Sequence, residues 1–316
     1  STGSVSASAG AITAFTNTYS VDFDGVDDVI DLDNTDLCRT NFSIIVWAKL
    51  AANASVQNLF ASDLGTGQPA TPYFRFYINN YVLTARVGSN ASSIIASDTI
   101  TSGKWYCLAA TVSGNGTSST VKLYVDGNEV DSTTGSHTNI DQTKRTTLGY
   151  LFYNISTSTW IWPFEGELDE IGVWNSVLSS DELTFIYNEG VPIDLLTNSG
   201  NYSSSSNLVG WWRMGDNDGG TGTTITNQGS ASGIDGTLTN GPTFSTDVPI
   251  AFTNTYSVDF DGVDDYATIP DTVSNRVTGD MSISCWFKLD TTGVFQGLVN
   301  KRDVGGMFFI FMMVQL

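Results

Sequence analysis

Between Tyr19 and Trp174 apolar residues recur mostly at every second position, the period of a strand that buries one face. Tyr19-Val21-Phe23, Phe42-Ile44-Val46-Ala48-Leu50, Phe74-Phe76-Ile78, Val82 to Val87, Trp105 to Val112, Val121 to Val125 and Leu168 to Trp174 each predict a strand. Asp126-Gly127-Asn128, between Lys122-Leu123-Tyr124-Val125 and Glu129-Val130, signals a tight hairpin turn. The period changes at one place. Ser179 and Glu182 make a capping box, Leu183, Ile186 and Tyr187 share a helical face, and Gly190 with Pro192 stops the helix. Many short antiparallel strands with a single short helix predict an all-β sandwich of jelly-roll type.

The pattern also repeats. Phe15 to Asp28 reads FTNTYSVDFDGVDD and recurs unchanged at Phe252 to Asp265. A weaker match joins Asn41–Leu50 to Asp280–Leu289, with Trp47 on Trp286 and the buried position Val46 on Cys285. The expected organisation is a complete module over 11–197, a flexible Ser-rich linker at 198–206 and a truncated second module over 207–316.

Composition narrows the function. A hydrophobic share of 41% excludes a disordered chain, and the longest apolar run, Met307 to Val314, is too short to cross a bilayer. A net charge of −20 repels a phosphate backbone, so nucleic acid is not an expected partner. Cys38, Cys107 and Cys285 show no metal-ligand spacing and are expected as buried thiols. The single histidine, His137, stands in a Gly-Ser-His-Thr-Asn loop and is expected as a solvated polar residue rather than a catalytic base. Ser1 to Gly10 carries no signal-peptide pattern, which leaves export open.

YSVDFDGVDD, FSIIVWAKL, KWYCLAATV, VKLYVDGNEV and FEGELDEIGVWNSVLSSDELTFIYN, in that order, resemble the laminin-G-like, concanavalin A-like jelly-roll modules of bacterial and phage surface proteins. The resemblance covers Tyr19 to Asn188. NLVGWWRMGDNDGGTGTTITNQGS and GTLTNGPTF resemble the segment that opens such modules, which puts the start of the second unit near Asn207. No equivalent precedes Phe15.

Three chemistries follow for weighing. Glucanases of this superfold carry paired carboxylates on one strand, and the nearest match is Glu167-Leu168-Asp169-Glu170-Ile171. Alternation puts Ile171 where the second carboxylate belongs, and Glu170 faces the other way unless a bulge re-aims it. No catalysis is expected there. The resemblance implies, for some such modules, a structural calcium between first and last strands, with Asp24 or Asp27 near Asp169; the other reading is that Asp24-Gly25 simply makes a turn. Asp216-Asn217-Asp218-Gly219 lacks the glutamate of a calcium-binding EF-hand. Sugar recognition uses exposed aromatic faces beside polar loops, and Trp160, Trp162, Tyr73 and Tyr77 are the candidates, with core and ligand-face readings both open for Trp160 and Trp162. Trp47, Trp105 and Trp174 are assigned to the core.

The expected function is a non-enzymatic module, extracellular or on a virion surface, that binds glycans or cell-surface ligands with calcium as support. The alternative is a structural subunit of a filament or capsid surface. In the second copy Phe260, Ile283, Cys285, Phe287, Leu298, Phe309 and Phe311 make an apolar face expected to need another polypeptide, through strands added to an open edge or self-association.

Overall fold

The structure, a computed structural model, describes residues 15–249 except 36, 39, 64–72, 90–92, 115, 138–139, 141–143 and 155–157, together with 258–267, 285, 287–288, 297–303 and 306–311. The chain divides into two compact units, 1–255 and 256–316. The first is the expected jelly-roll sandwich, with strands numbered along the chain. One antiparallel sheet runs β10 (Asn128–Gly135), β9 (Ser119–Val125), β8 (Trp105–Ser113), β3 (Phe42–Leu50), β14 (Glu165–Trp174), β1 (Ser20–Asp24) and β18 (Thr243–Ser245), with β15 (Leu208–Trp212) also on β14. The other runs β16 (Thr224–Ile225), β17 (Gly236–Thr239), β2 (Val29–Thr35), β11 (Lys144–Leu148), β4 (Gln57–Asp63), β5 (Tyr73–Asn79), β6 (Val82–Gly88) and β7 (Ser93–Thr99). A short hairpin, β12 (Leu151–Asn154) with β13 (Thr159–Ile161), packs beside β4 and β11.

Alternation decides which side chains meet between the sheets. Phe23, Phe42, Phe60, Phe74, Phe76 and Leu168 form that core, with Phe42 edge-on to Phe74 at 5.0 Å between ring centroids. The first sheet is buried on its other face as well. There Ile45, Trp47, Tyr124 and Trp174 lie under Leu183 and Ile186 of the helix α1 (Ser180–Tyr187). Two buried faces explain why β3 reads as a nearly continuous apolar run. The capping box forms as expected, with Ser179 accepting from the Glu182 N–H and Glu182 accepting from the Ser179 N–H. The helix stops earlier than Gly190, because Asn188 takes the left-handed C-cap at φ 43°.

The expected boundary at 198–206 does not separate two modules here. Tyr202 is buried and accepts from Trp174 Nε1 at 3.0 Å, while Ser203 and Ser204 donate to Glu182, so the Ser-rich stretch is packed. The segment after it completes the first sandwich. β15 occupies the half of the β14 edge that β1 leaves free, pairing Ile171–Trp174, while β1 pairs Leu168–Glu165. β18 lies on the outer edge of β1 and β17 on β2. Trp212 enters the inter-sheet core and Trp211 the core under the helix. The segment that resembles a module's opening thus completes the first sandwich instead of starting a second one.

In the second unit the described residues form an antiparallel hairpin, β19 (Gly297–Asp303) with β20 (Gly306–Phe311), and a turn at 261–264. Phe260 and Phe287 are exposed, and so is Cys285, against the expectation of a buried thiol. Leu298 is half-buried. Ile283 and Trp286, and the side chains of Phe309 and Phe311, lie outside the described residues.

Candidate functional site

The face of the second sheet turned away from the core gathers aromatic and arginine side chains. Phe74, Phe76 and Ile78 point into the core, so alternation turns Tyr73, Arg75 and Tyr77 outward; Leu83, Ala85 and Val87 do the same for Arg86. Arg75 sits at the centre. Its guanidinium donates to Asp63 at 2.9 and 2.5 Å and lies 3.9 Å from the Tyr73 ring centroid, 5.3 Å from Trp162 and 5.8 Å from Tyr153. Tyr77 stacks on Trp162 with centroids 5.2 Å apart. A second cluster repeats the plan: Arg145 is paired with Asp31 and lies 4.4 Å from Phe152 and 5.2 Å from Trp160, which stacks on Tyr150.

Of the four aromatic candidates, Trp160, Trp162 and Tyr77 are half-buried on this face, neither core nor fully exposed. Tyr73 is a correction. It is only 1% exposed, and burial raises its hydroxyl pKa, so it supports Arg75 from below rather than meeting a ligand. Two further observations mark the site. Trp162 has φ +65°, a conformation that a bulky residue adopts only when its surroundings impose it. The fully buried Asn58, whose N–H donates to the Trp162 carbonyl at 2.9 Å, leaves its side-chain Oδ1 without a partner among the described residues. Sequence reading missed Arg75, Arg86 and Asp63, although Tyr73-x-Arg75-x-Tyr77 has the spacing of one strand face.

The carboxylates of β14 tell a different story. The β14 pairing with β3 shifts register between Asp169 and Gly172, and Glu170 takes φ 42° there. Leu168 and Ile171, three residues apart, both enter the core, so Glu167 and Ile171 do not share a face as strict alternation required. The bulge does re-aim Glu170, toward the protein. It accepts from Trp211 Nε1 at 2.7 Å and Arg213 Nε at 3.0 Å, and Asp169 accepts from Asn17 Nδ2 at 2.8 Å. Both carboxylates are buried. Burial raises the pKa of Glu170 to about 7 despite Arg213, and raises that of Asp169 with help from the Glu170 charge.

Asp169 therefore joins no metal set with Asp24 and Asp27; Asp24 stands opposite Glu165 instead. The structure brings together Asp24, Asp27 and Asp28, with carboxylate oxygens within 4.8 Å. The donors suit calcium in kind, but three carboxylates fall short of its usual six to eight oxygens. Two of them also hold the turn: Asp24 Oδ1 accepts from the Val26 N–H at 2.8 Å and Asp28 Oδ2 from the Asp24 N–H at 2.9 Å. His137 is buried rather than solvated, its Nε2 accepting from the Gly116 N–H at 3.3 Å. Trp47 and Trp174 are buried as assigned, but Trp105 is half-buried and donates to Asp247 at 2.9 Å.

Two antiparallel sheets around one core, with a helix closing the back of one and an aromatic face on the other, define a lectin-type jelly roll. Residues 24–184 match the model of the concanavalin A-like lectin/glucanases superfamily, and the chain belongs to that family. No curated protein matches it in sequence. Among solved structures, a putative carbohydrate binding protein from Bacteroides ovatus is 17% identical with a TM-score of 0.51, over 76% of this chain and 63% of its own length. A heptameric SAP-like pentraxin from Limulus polyphemus is 16% identical, with a TM-score of 0.43, over 54% of this chain and 82% of that one. At these identities the likeness is one of fold.

Proposed function

We propose that the chain is a non-enzymatic glycan-binding module whose ligand lies on the outer face of the second sheet, against Tyr77, Trp162 and Trp160. The observation that carries this reading is the half-buried Tyr77–Trp162 stack, fixed by the strained Trp162 backbone and the buried Arg75–Asp63 pair. Sugar rings offer apolar C–H faces to aromatic rings and hydroxyls to nearby polar groups. The non-enzymatic part rests on β14, whose acidic pair is buried and already bonded to Asn17, Trp211 and Arg213. Calcium, where bound, takes Asp24, Asp27 and Asp28 and supports the turn. The setting that fits such a module is an extracellular or virion surface. A glycan array tests the reading: binding to at least one class, lost in Trp162→Ala and kept in Val130→Ala on the far strand β10, is expected. An array without any binding overturns it.

A further inference from the structure

We infer that this face selects acidic sugars, bearing carboxylate or sulfate, and that Arg86 is the residue that reads the charge. The inference rests on the glycan-binding reading and adds to it. Arg75 and Arg86 stand directly opposite each other on β5 and β6, a like-charged cross-strand pair that disfavours the sheet. Asp63 neutralises Arg75, accepting from its Nε and a terminal nitrogen. Arg145 is likewise matched by Asp31.

Arg86 is the exception. Among the described residues its guanidinium makes one hydrogen bond, Nε to Ser93 Oγ at 3.2 Å, and meets no carboxylate. Its carbon lies 5.5 Å from the Tyr73 ring centroid, so the buried ring holds it from beneath, while the residue itself is half-buried and reaches solvent. A guanidinium positioned by a ring and a hydroxyl, with its terminal nitrogens uncommitted among the described residues, is a fork for a planar or tetrahedral anion. The overall charge of −20 does not cancel this, because screening confines distant charges to about 8 Å at physiological salt while a contact pair acts directly. Surface repulsion slows acidic ligands; Arg86 retains them.

The test uses the whole 316-residue protein on uronate-bearing, sulfated and neutral oligosaccharides of matched length, followed by titration of the best acidic ligand and its neutral counterpart. Acidic ligands should bind at least about tenfold tighter than neutral ones, as expected for one charge-assisted pair. Arg86→Gln should abolish that preference, bringing acidic and neutral ligands to equal affinity, and Arg86→Lys should restore it only in part. The uronate and sulfate arms identify the anion. Equal binding of acidic and neutral ligands, or a preference that survives Arg86→Gln, overturns the inference and leaves the glycan reading standing. Absence of binding to every class overturns both.

Discussion

The same sequence, VDFDGVDD, occupies two places in this molecule, Val21–Asp28 and Val258–Asp265. In the first, Val21 and Phe23 are 0% and 1% exposed, inside the sandwich; in the second, Val258 and Phe260 are 73% and 50% exposed. The turn that follows is nonetheless the same in both. Gly25 and Gly262 have φ 77° and 76°, Asp24 and Asp261 each accept from the N–H two residues on at 2.8 Å, and Asp28 and Asp265 accept from the N–H four residues back. The turn is thus a local property of Asp and Gly. The strand is not: it exists where β14 and β18 flank it, with Phe15 stacked on Trp211, Thr16 accepting from Arg213 and the Thr18 N–H donating to Asp216.

The largest effect that separates the copies is therefore in the core. Phe23→Ala should destabilise the first unit by about 3–5 kcal/mol, the usual cost of emptying a buried phenylalanine site, whereas Phe260→Ala should stay within about 0.5 kcal/mol. Denaturant titration followed by tryptophan fluorescence reads both. Equal effects would mean that Phe260 is covered in solution and that the contrast between the copies is wrong.

Acidity should act on the first copy next. Glu170, which fastens Trp211 and Arg213 against β14, titrates at about 7 in the folded protein against an ordinary 4.5, and Asp169 is raised too. A carboxyl whose folded pKa is raised contributes stability that is complete below its unfolded pKa and lost as pH rises through the folded value. The first unit should accordingly be more stable near pH 4.5 than near pH 8, by on the order of 2 kcal/mol, with the change centred between 4.5 and 7. Glu170→Gln should flatten that part of the melting-temperature profile. A profile that rises toward pH 8 in the native protein would show that the Arg213 ion pair outweighs desolvation.

The contrast between the copies also shows what was legible in the sequence. β1, β3, β5, β6, β8, β9 and β14 announce themselves by alternation, and α1 by its capping box, because each signal is local. β4 does not, since Gln57, Asn58, Ser62 and Asp63 are buried polar residues whose places depend on partners in other strands. The docking of 207–248 on the first sandwich was illegible for a sharper reason: an identical strand follows it, and no pattern within the segment says which copy it will flank. On the candidate face the aromatic positions were readable from their loops. The pairing of Arg75 with Asp63, and the excess charge at Arg86, needed the register of β4, β5 and β6.

A smaller separation is expected at the turn glycines. Both have positive φ, so alanine strains either backbone by roughly 1 kcal/mol. At Gly25 a Cβ would also lie 2.9 Å from Glu165 Cβ on β14, whereas at Gly262 it would meet nothing within 4 Å. Gly25→Ala should therefore lower the melting temperature of the first unit measurably, and Gly262→Ala should leave it unchanged.

The smallest effect is that of calcium, and the two Asp trios allow it to be isolated. Asp24 and Asp28 are needed by the turn itself, so replacing either confounds metal binding with folding. Asp27 is different: among the described residues its carboxylate makes no hydrogen bond in the turn, and only its carbonyl is used, by Asn240 Nδ2 at 2.9 Å. Burial, together with the Asp24 and Asp27 charges, raises the pKa of Asp28, so a bound cation would relieve repulsion that the fold otherwise carries. Millimolar calcium should raise the melting temperature of the first unit by about one degree, in line with weak binding to the folded state alone, and EDTA should reverse it. Asp27→Asn should abolish the shift without changing the calcium-free melting temperature. Asp264→Asn, at the equivalent place in the second trio, should leave the shift intact, because that trio belongs to the other unit. A calcium response that survives Asp27→Asn would place the ion elsewhere, and no response at all would leave the trio as a turn that satisfies itself.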